Sequence, residues 1–307
     1  MKAFKFLSNT ALVFSLGLLA SCSSDNDIEE TNEAKTIAKK IEFKAVINSN
    51  DTEASSKVTR ATLEDDYTVS WDEKDAIFVF CDNKDQSVEF GITPSSIDGT
   101  TATFTNYGEV LPFWFDPENL YYALYPTASA TYDVKENKIT SVMPTNQTVS
   151  AGRTYDKKTL FMTACADKDE RIFNFKNIPA LVKVTVSNNG DGKVQYIEIV
   201  AKNKADILSG NFEVSPVYST PKIGFRAISG AAKKHTVKLQ IPASEESQDF
   251  YLAVLPGRVD GLTLQFEDKN SKVLASHESK KSVEFKSSKI YPFGNYDINK
   301  ETTPEVK

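Results

Sequence analysis

Three cysteines, two histidines and a few paired carboxylates are the side chains of this 307-residue chain whose types could do chemistry. His235 opens one apolar run and His277 closes another, and neither has Cys, His or Asp neighbours at metal-ligand spacing. Asp65-Asp66 and Glu245-Glu246 are adjacent carboxylates in polar, turn-like surroundings, where solvated loop charge accounts for them. The chain has no Gly-x-Ser-x-Gly elbow, no phosphate loop and no dinucleotide fingerprint. These residues therefore point to no enzyme, no cofactor and no metal. The formal charge of -6, with lysines scattered among acids, offers no basic stripe for nucleic acid. Cys81 and Cys165 sit in the apolar runs Phe78-Val79-Phe80-Cys81 and Phe161-Met162-Thr163-Ala164-Cys165. In an exported protein they could pair, but these apolar contexts favour buried free thiols. Cys22 is different, because everything before it prepares for it. Lys2 and Lys5 lead an apolar run from Ala11 to Leu19, and Leu19-Ala20-Ser21-Cys22 follows. A basic start, a short apolar segment and small residues at a cut site make a secretory signal peptide over 1–21, cut between Ser21 and Cys22. The segment is short for a permanent membrane span.

Leu-Ala-Ser-Cys resembles the bacterial lipobox, and the resemblance implies that the Cys22 thiol is lipidated (palmitate being the expected acyl group) and becomes the mature N-terminus. Loss of Lys2 and Lys5 with the signal brings the charge to -8. Residues 22–40 are a polar, acidic tether containing Ser23-Ser24-Asp25-Asn26-Asp27 and Glu29-Glu30, and such a run is solvated rather than folded. It resembles the acidic export signal that sends Bacteroidetes lipoproteins to the outer face of the outer membrane.

The first element able to position anything is the run 41–47. Ile41, Phe43, Ala45 and Ile47 recur at period two, which describes one half-buried β-strand. A polar linker, 48–60, ends at Arg60, followed by Ala61. Of the 36 basic residues only five are Arg: Arg60, Arg153, Arg171, Arg226 and Arg258. Exposed linkers of small polar residues are where proteases nick, so Arg60-Ala61 is a candidate maturation site for an arginine-specific protease. Taken by itself, the spacing favours a solvated loop arginine, and it is the resemblance described below that favours cleavage.

The remainder predicts strand after strand. Val69 and Trp71 lead through the charged turn Asp72-Glu73-Lys74-Asp75 to Ile77-Phe78-Val79-Phe80, which predicts a hairpin. Further strands are predicted at 101–104, 120–125, 139–143 and 160–162, with a loop over 145–158. Phe113-Trp114-Phe115 lies in an aromatic loop that could be a platform for a glycan or a protein, or could pack into the core or an interface. The charge cluster 167–171 marks a boundary, so the spans expected are an N-terminal domain over 41–168, a C-terminal domain over 169–299 and a polar tail over 300–307. Beyond it, apolar runs at 173–175, 181–186, 194–201, 212–214, 237–241, 250–255, 262–266, 273–276, 283–285 and 290–298 alternate with turn signals such as Asn188-Asn189-Gly190-Asp191-Gly192. Short strands at close spacing and no long amphipathic helix predict an all-β chain of two tandem β-sandwiches.

Taken together these motifs resemble the fimbrillin family, the type V pilins and associated fimbrial proteins of Bacteroidetes. The resemblance spans about residues 40–298. It rests on the first strand, Thr59-Arg60-Ala61, Trp71 with the acidic turn and Ile77-Phe78-Val79-Phe80, and Tyr121-Tyr122-Ala123-Leu124-Tyr125-Pro126. Phe173-x-Phe175, Ala180-x-Val182, Leu208-x-Gly210-x-Phe212, Phe250-Tyr251, Val254-Leu255-Pro256 and Lys289-Ile290-Tyr291 continue it. Lys74 and Ser288 depart from it, standing where the family often has glycine. The resemblance implies transthyretin-like β-sandwich domains and a surface-exposed outer-membrane lipoprotein that is cut after Arg60 and loses the strand carrying Ile41, Phe43, Ala45 and Ile47. Other fimbrial subunits are the implied partners, joined by strand exchange into fimbriae that serve adhesion and biofilm formation, with this chain as shaft, anchor or tip. The run Ile290, Tyr291, Phe293, Tyr296, Ile298 is either a donor strand for a neighbour or the last strand of its own domain. A surface lipoprotein that keeps its lipid and binds a glycan or protein ligand is the other reading.

Overall fold

In the computed structural model, residues 41–47, 69–82, 84–106, 120–127, 130–150, 152–166, 171–215, 224–227 and 233–299 are described. Their regular structure is strand apart from two single turns of 3-10 helix, at 94–96 and 157–159. The chain is all-β, as its patterning predicts.

The strands run in order as β1 (Glu42–Ile47), β2 (Ala76–Cys81), β3 (Lys84–Ile92), β4 (Thr101–Asn106), β5 (Tyr121–Tyr125), β6 (Thr131–Asp133), β7 (Lys138–Met143), β8 (Asn146–Thr148), β9 (Met162–Ala166) and β10 (Ile172–Asn177). They continue as β11 (Ala180–Ser187), β12 (Tyr196–Ala201), β13 (Ser209–Ser215), β14 (Gly224–Ala227), β15 (Lys233–Lys234), β16 (Thr236–Gln240), β17 (Gln248–Val254), β18 (Gly257–Glu267), β19 (Val273–Phe285) and β20 (Ile290–Asp297).

The first half departs from a two-layer sandwich. Seven strands close into a barrel in the order β1-β10-β9-β5-β2-β3-β4. Closure depends on β1, which pairs antiparallel with β4 and parallel with β10. Without it the sheet would end in two open edges, which carry unpaired backbone groups. The predicted hairpin across Asp72–Asp75 is also different. Residues 69–71 are not strand, although Val69 and Trp71 are buried. The Trp71 backbone N–H donates to Gly99 O at 3.0 Å, so that segment is held by a turn rather than a ladder. Its ring lies edge-on to Phe104, Tyr125 and Phe175 at 4.9, 5.5 and 5.3 Å, which explains why an irregular segment is nonetheless core.

Three further sheets follow: β17-β11-β20, β19-β18-β12-β16-β8, and β14-β13-β7-β6 with β15 also on β13. The first two share a second core that includes Val182, Ile199, Leu252, Leu264 and Phe293. Strand pairing crosses the charge cluster at 167–171 in both directions. From the C-terminal side, β10 completes the barrel; from the N-terminal side, β8 pairs with β16 and β7 with β13. The segment predicted as the loop 145–158 thus contains β8 and a 3-10 turn. Three-residue runs such as 146–148 are too short to announce themselves by periodicity. The two apolar runs at 273–276 and 283–285 are the ends of the single strand β19, whose polar middle pairs with β18.

The two departures from the family pattern can be read at the backbone. Ser288 holds φ +62°, the left-handed region glycine enters freely, and there its N–H donates to Pro179 O at 3.0 Å. Lys74 is not among the residues with positive φ, so nothing in its turn requires glycine.

Truncating the side chain at the centre of β1 should be severe. Phe43→Ala in the full chain is expected to lower stability by about 3–5 kcal/mol, read as a fall in the urea midpoint at unchanged slope.

Candidate functional site

The site is the slot that β1 occupies. Along β1 the side chains alternate, with Phe43, Ala45 and Ile47 buried and Glu42 and Lys44 exposed. Ile41, just before it, is buried as well. On one flank Phe43 stands opposite Phe104 and Ala45 opposite Ala102; on the other, Ala45 is level with Phe173 and Ile47 with Phe175. Phe43 is the hub. Its ring stacks on Phe173 at 4.5 Å and meets Phe90 and Tyr121 edge-on at 5.3 and 5.5 Å. Edge and stacked aromatic pairs add about 0.5–1.5 kcal/mol each beyond area burial. The ends of the strand are fixed by Ile41 N–H donating to Asn106 Oδ1 at 3.3 Å and Ile47 N–H donating to Thr100 O at 2.9 Å.

Burial of Ile41, Phe43 and Ile47 contributes about 1.5–3 kcal/mol each, or about 5–9 kcal/mol for the strand. Whole domains are typically stable by about 5–15 kcal/mol. The barrel therefore depends heavily on one strand that is joined to the rest only through its C-terminal linker.

Beside the barrel lies a polar network that the sequence did not announce. Asp72 accepts from Arg153 Nη2 and Lys157 Nζ, each at 3.1 Å. Lys157 Nζ also meets Asp75 Oδ1 at 2.7 Å, and Tyr125 donates its hydroxyl to the same oxygen at 3.0 Å. The hydrogen bond from Lys157 holds the Asp72 carboxyl below its ordinary pKa. Burial, reinforced by Asp75, pushes the Tyr125 hydroxyl well above its own. Asp72–Asp75 was visible only as a charged turn, and Arg153 only as one of few arginines. Nothing in their spacing places them together. The network clamps the turn before β2 to the segment before β9, and Tyr155 and Thr154 continue it to Tyr251 on β17. It is structural, since its members hold one another.

A second cluster lies across β12, β16 and β18, where Glu267 is buried and Glu198 and Lys238 are half-buried. Lys238 Nζ is 2.6 Å from Glu267 and 3.8 Å from Glu198. Burial, and then the hydrogen bond shared with Glu267, push Glu198 up to about 7 despite Lys238.

The other expected residues fall in four groups. Cys22, Ser21, Arg60, Ala61, Asp65-Asp66 and Phe113-Trp114-Phe115 lie outside the described residues. Cys81 is buried on β2 and Cys165 half-buried on β9; no disulfide joins them. The candidate donor run is β20, paired in parallel with β11 from Leu181↔Ile290 to Ser187↔Asp297. Phe293, Tyr296 and Ile298 are buried in the second core, with Tyr296 stacked on Phe266 at 4.0 Å, while Ile290 and Tyr291 are half-buried. In this chain it is a strand of its own sheet. His235, in the bend between β15 and β16, and His277, on β19, are half-buried, and among the described residues no cluster of His, Cys, Asp or Glu could hold a metal ion.

No family model matches the sequence, and no curated protein matches it. Among solved structures, a candidate cell adhesion protein from Bacteroides ovatus is 17% identical over 88% of this chain and 96% of its own, with a TM-score of 0.51. A second, from Bacteroides uniformis, is 16% identical over 84% of this chain and 93% of its own, with a TM-score of 0.47. A fimbrial protein from Bacteroides ovatus is 14% identical over 83% of this chain and 48% of its own, with a TM-score of 0.28. At 17% identity the first likeness is one of fold.

The carboxylate pair on β12 and β18 sets a pH dependence. A carboxyl whose folded pKa is raised binds its proton more tightly folded than unfolded, so stability falls as pH rises from about 4.5 to about 7. Glu198→Gln is expected to match the parent below pH 4.5 and to melt higher than the parent at pH 8. Thermal melts at both pH values check this.

Proposed function

We propose that this chain is a fimbrial subunit or fimbria-associated surface lipoprotein whose first strand is a replaceable plug. The observation that carries the reading is the position of β1, which lies between β4 and β10 with Phe43 at the centre of an aromatic core. In this reading the signal is removed, Cys22 is lipidated and the protein reaches the outer face of the outer membrane. An arginine-specific protease cuts after Arg60, and the strand carrying Ile41, Phe43, Ala45 and Ile47 leaves. The part spanning 41–168, its barrel completed by β10, then receives the strand, and the remainder of 169–299 is the second domain. The vacated slot has two unpaired edges and an apolar floor, which is a template for β-augmentation by a strand of another subunit. A head-to-tail contact of that kind does not close on itself and grows a fibre. The fold is shared with a candidate cell adhesion protein, which agrees with a role at the cell surface, and the sequence motifs supply the fimbrial assignment.

The N-terminal residue and intact mass of the protein taken from the cell surface test this reading. Ala61 as the first residue, without lipid and in high-molecular-weight ladders, is the expected result for a shaft subunit. A lipidated Cys22 on a monomer would withdraw the plug mechanism and leave an anchor or a ligand-binding lipoprotein.

A further inference from the structure

The slot is uneven in size, and that unevenness specifies what can enter it. At Phe43 it accepts a full ring. Two residues on it accepts only a methyl group, because Ala45 faces Ala102 across one ladder and is level with Phe173 across the other, and all three are buried to 1% exposure or less. The Phe173 ring is itself fixed by stacking on Phe43 and by contact with Phe175 at 5.9 Å, so it cannot swing aside without disturbing the core. An incoming strand must therefore present aliphatic, aromatic and small side chains at alternate positions, in that order. Overpacking a filled core by a few methylenes costs about 1–3 kcal/mol, enough to discriminate about tenfold or more.

With Ile, Phe and Ala themselves at those positions, the chain contains that pattern twice. Ile41-Glu42-Phe43-Lys44-Ala45-Val46 is matched by Ile223-Gly224-Phe225-Arg226-Ala227-Ile228, with Ile, Phe and Ala at the same spacing, a basic residue between Phe and Ala, and a β-branched aliphatic last. Residues 224–227 are β14, an edge strand held to β13 by four register positions, from Phe212↔Ala227 to Ser215↔Gly224, with no second strand partner among the described residues. The C-terminal strand β20 is a poorer fit. Pro292 and Gly294 interrupt its alternation, and its release would expose Phe293, Tyr296 and Ile298.

We propose that the slot vacated by β1 takes β14 from a second copy of this chain, with Phe225 in the place of Phe43 and Ala227 in the place of Ala45. This rests on the reading of β1 as a replaceable plug. Ser229 would stand where Ile47 now lies, so the β14 segment fills three of the four positions with matching side chains and should hold less tightly than β1 itself.

The test uses the full chain with a site for a sequence-specific protease in the 48–60 linker. After the cut, labelled peptides are added and their retention is followed by gel filtration. The peptides are residues 40–47, residues 222–229, the latter with Ala227→Leu, and residues 289–298. The expected result is that 40–47 and 222–229 both enter and displace the cut segment, the Ala227→Leu peptide enters at least about tenfold less, and 289–298 stays out. Entry of 40–47 without 222–229 would overturn the assignment of β14 and leave the replaceable slot standing. Equal entry of the Ala227→Leu peptide would overturn the size rule. Entry of neither native peptide would remove the plug reading, and this inference with it.

Discussion

The structure depends on the closure of a barrel by β1, which is held by backbone ladders to β4 and β10 and by the burial of its side chains. Phe43 is in contact with rings from β3, β5 and β10, so one side chain ties together strands that are far apart in sequence. Each of those contacts is modest. It is the burial of Ile41, Phe43 and Ile47 together, about 5–9 kcal/mol, that is comparable to the stability of a domain, which is why a single short segment can decide whether the barrel is closed or open.

That constraint explains the grading of the rest. The aromatic floor formed by Phe104, Phe173, Phe175 and Trp71 belongs to β4, β10 and the segment before β2, elements that keep other partners when β1 is absent. The clamp of Asp72, Asp75, Arg153 and Lys157 lies outside the β1 ladder. It anchors the turn before β2 to the segment that leads into β9 and onward to β17. On the proposed reading of β1 as a plug, the other partners of β4 and β10 are what would keep the walls of the slot in place. Trp71 illustrates the tension: its ring is packed on three aromatics, yet its indole N–H is buried with no hydrogen-bond partner. Packing outweighs an unsatisfied donor there, because leaving the ring exposed would forfeit far more apolar burial.

The surface of the second core shows the opposite regime. Glu198, Glu267 and Lys238 are crowded on one sheet face, where partial burial holds a carboxyl near neutral titration. Such a cluster contributes less at high pH than at low, and no symmetry of the sequence marks it. Glu198 and Glu267 are 69 positions apart and meet only because β12 pairs with β18.

The amino-acid sequence by itself determined the strand-rich class, the alternation of β1 with Ile41, Phe43, Ala45 and Ile47 inward, and the membership of most core positions. Those follow from local periodicity, which a strand's two-residue repeat writes directly into the chain. The signal, lipidation and cleavage sites expected at Cys22 and Arg60 are read from linear segments too, and they lie outside the described residues. The tertiary structure alone decided that the first sheet closes, that β1 and β10 run parallel, and that β8 leaves its half of the chain to pair with β16. It alone made Ala45 a tight position, since the smallness of that site comes from Ala102 and Phe173 and not from any neighbour in sequence. Pairing and pocket size are long-range properties, set by which elements meet, and periodicity holds no information about that.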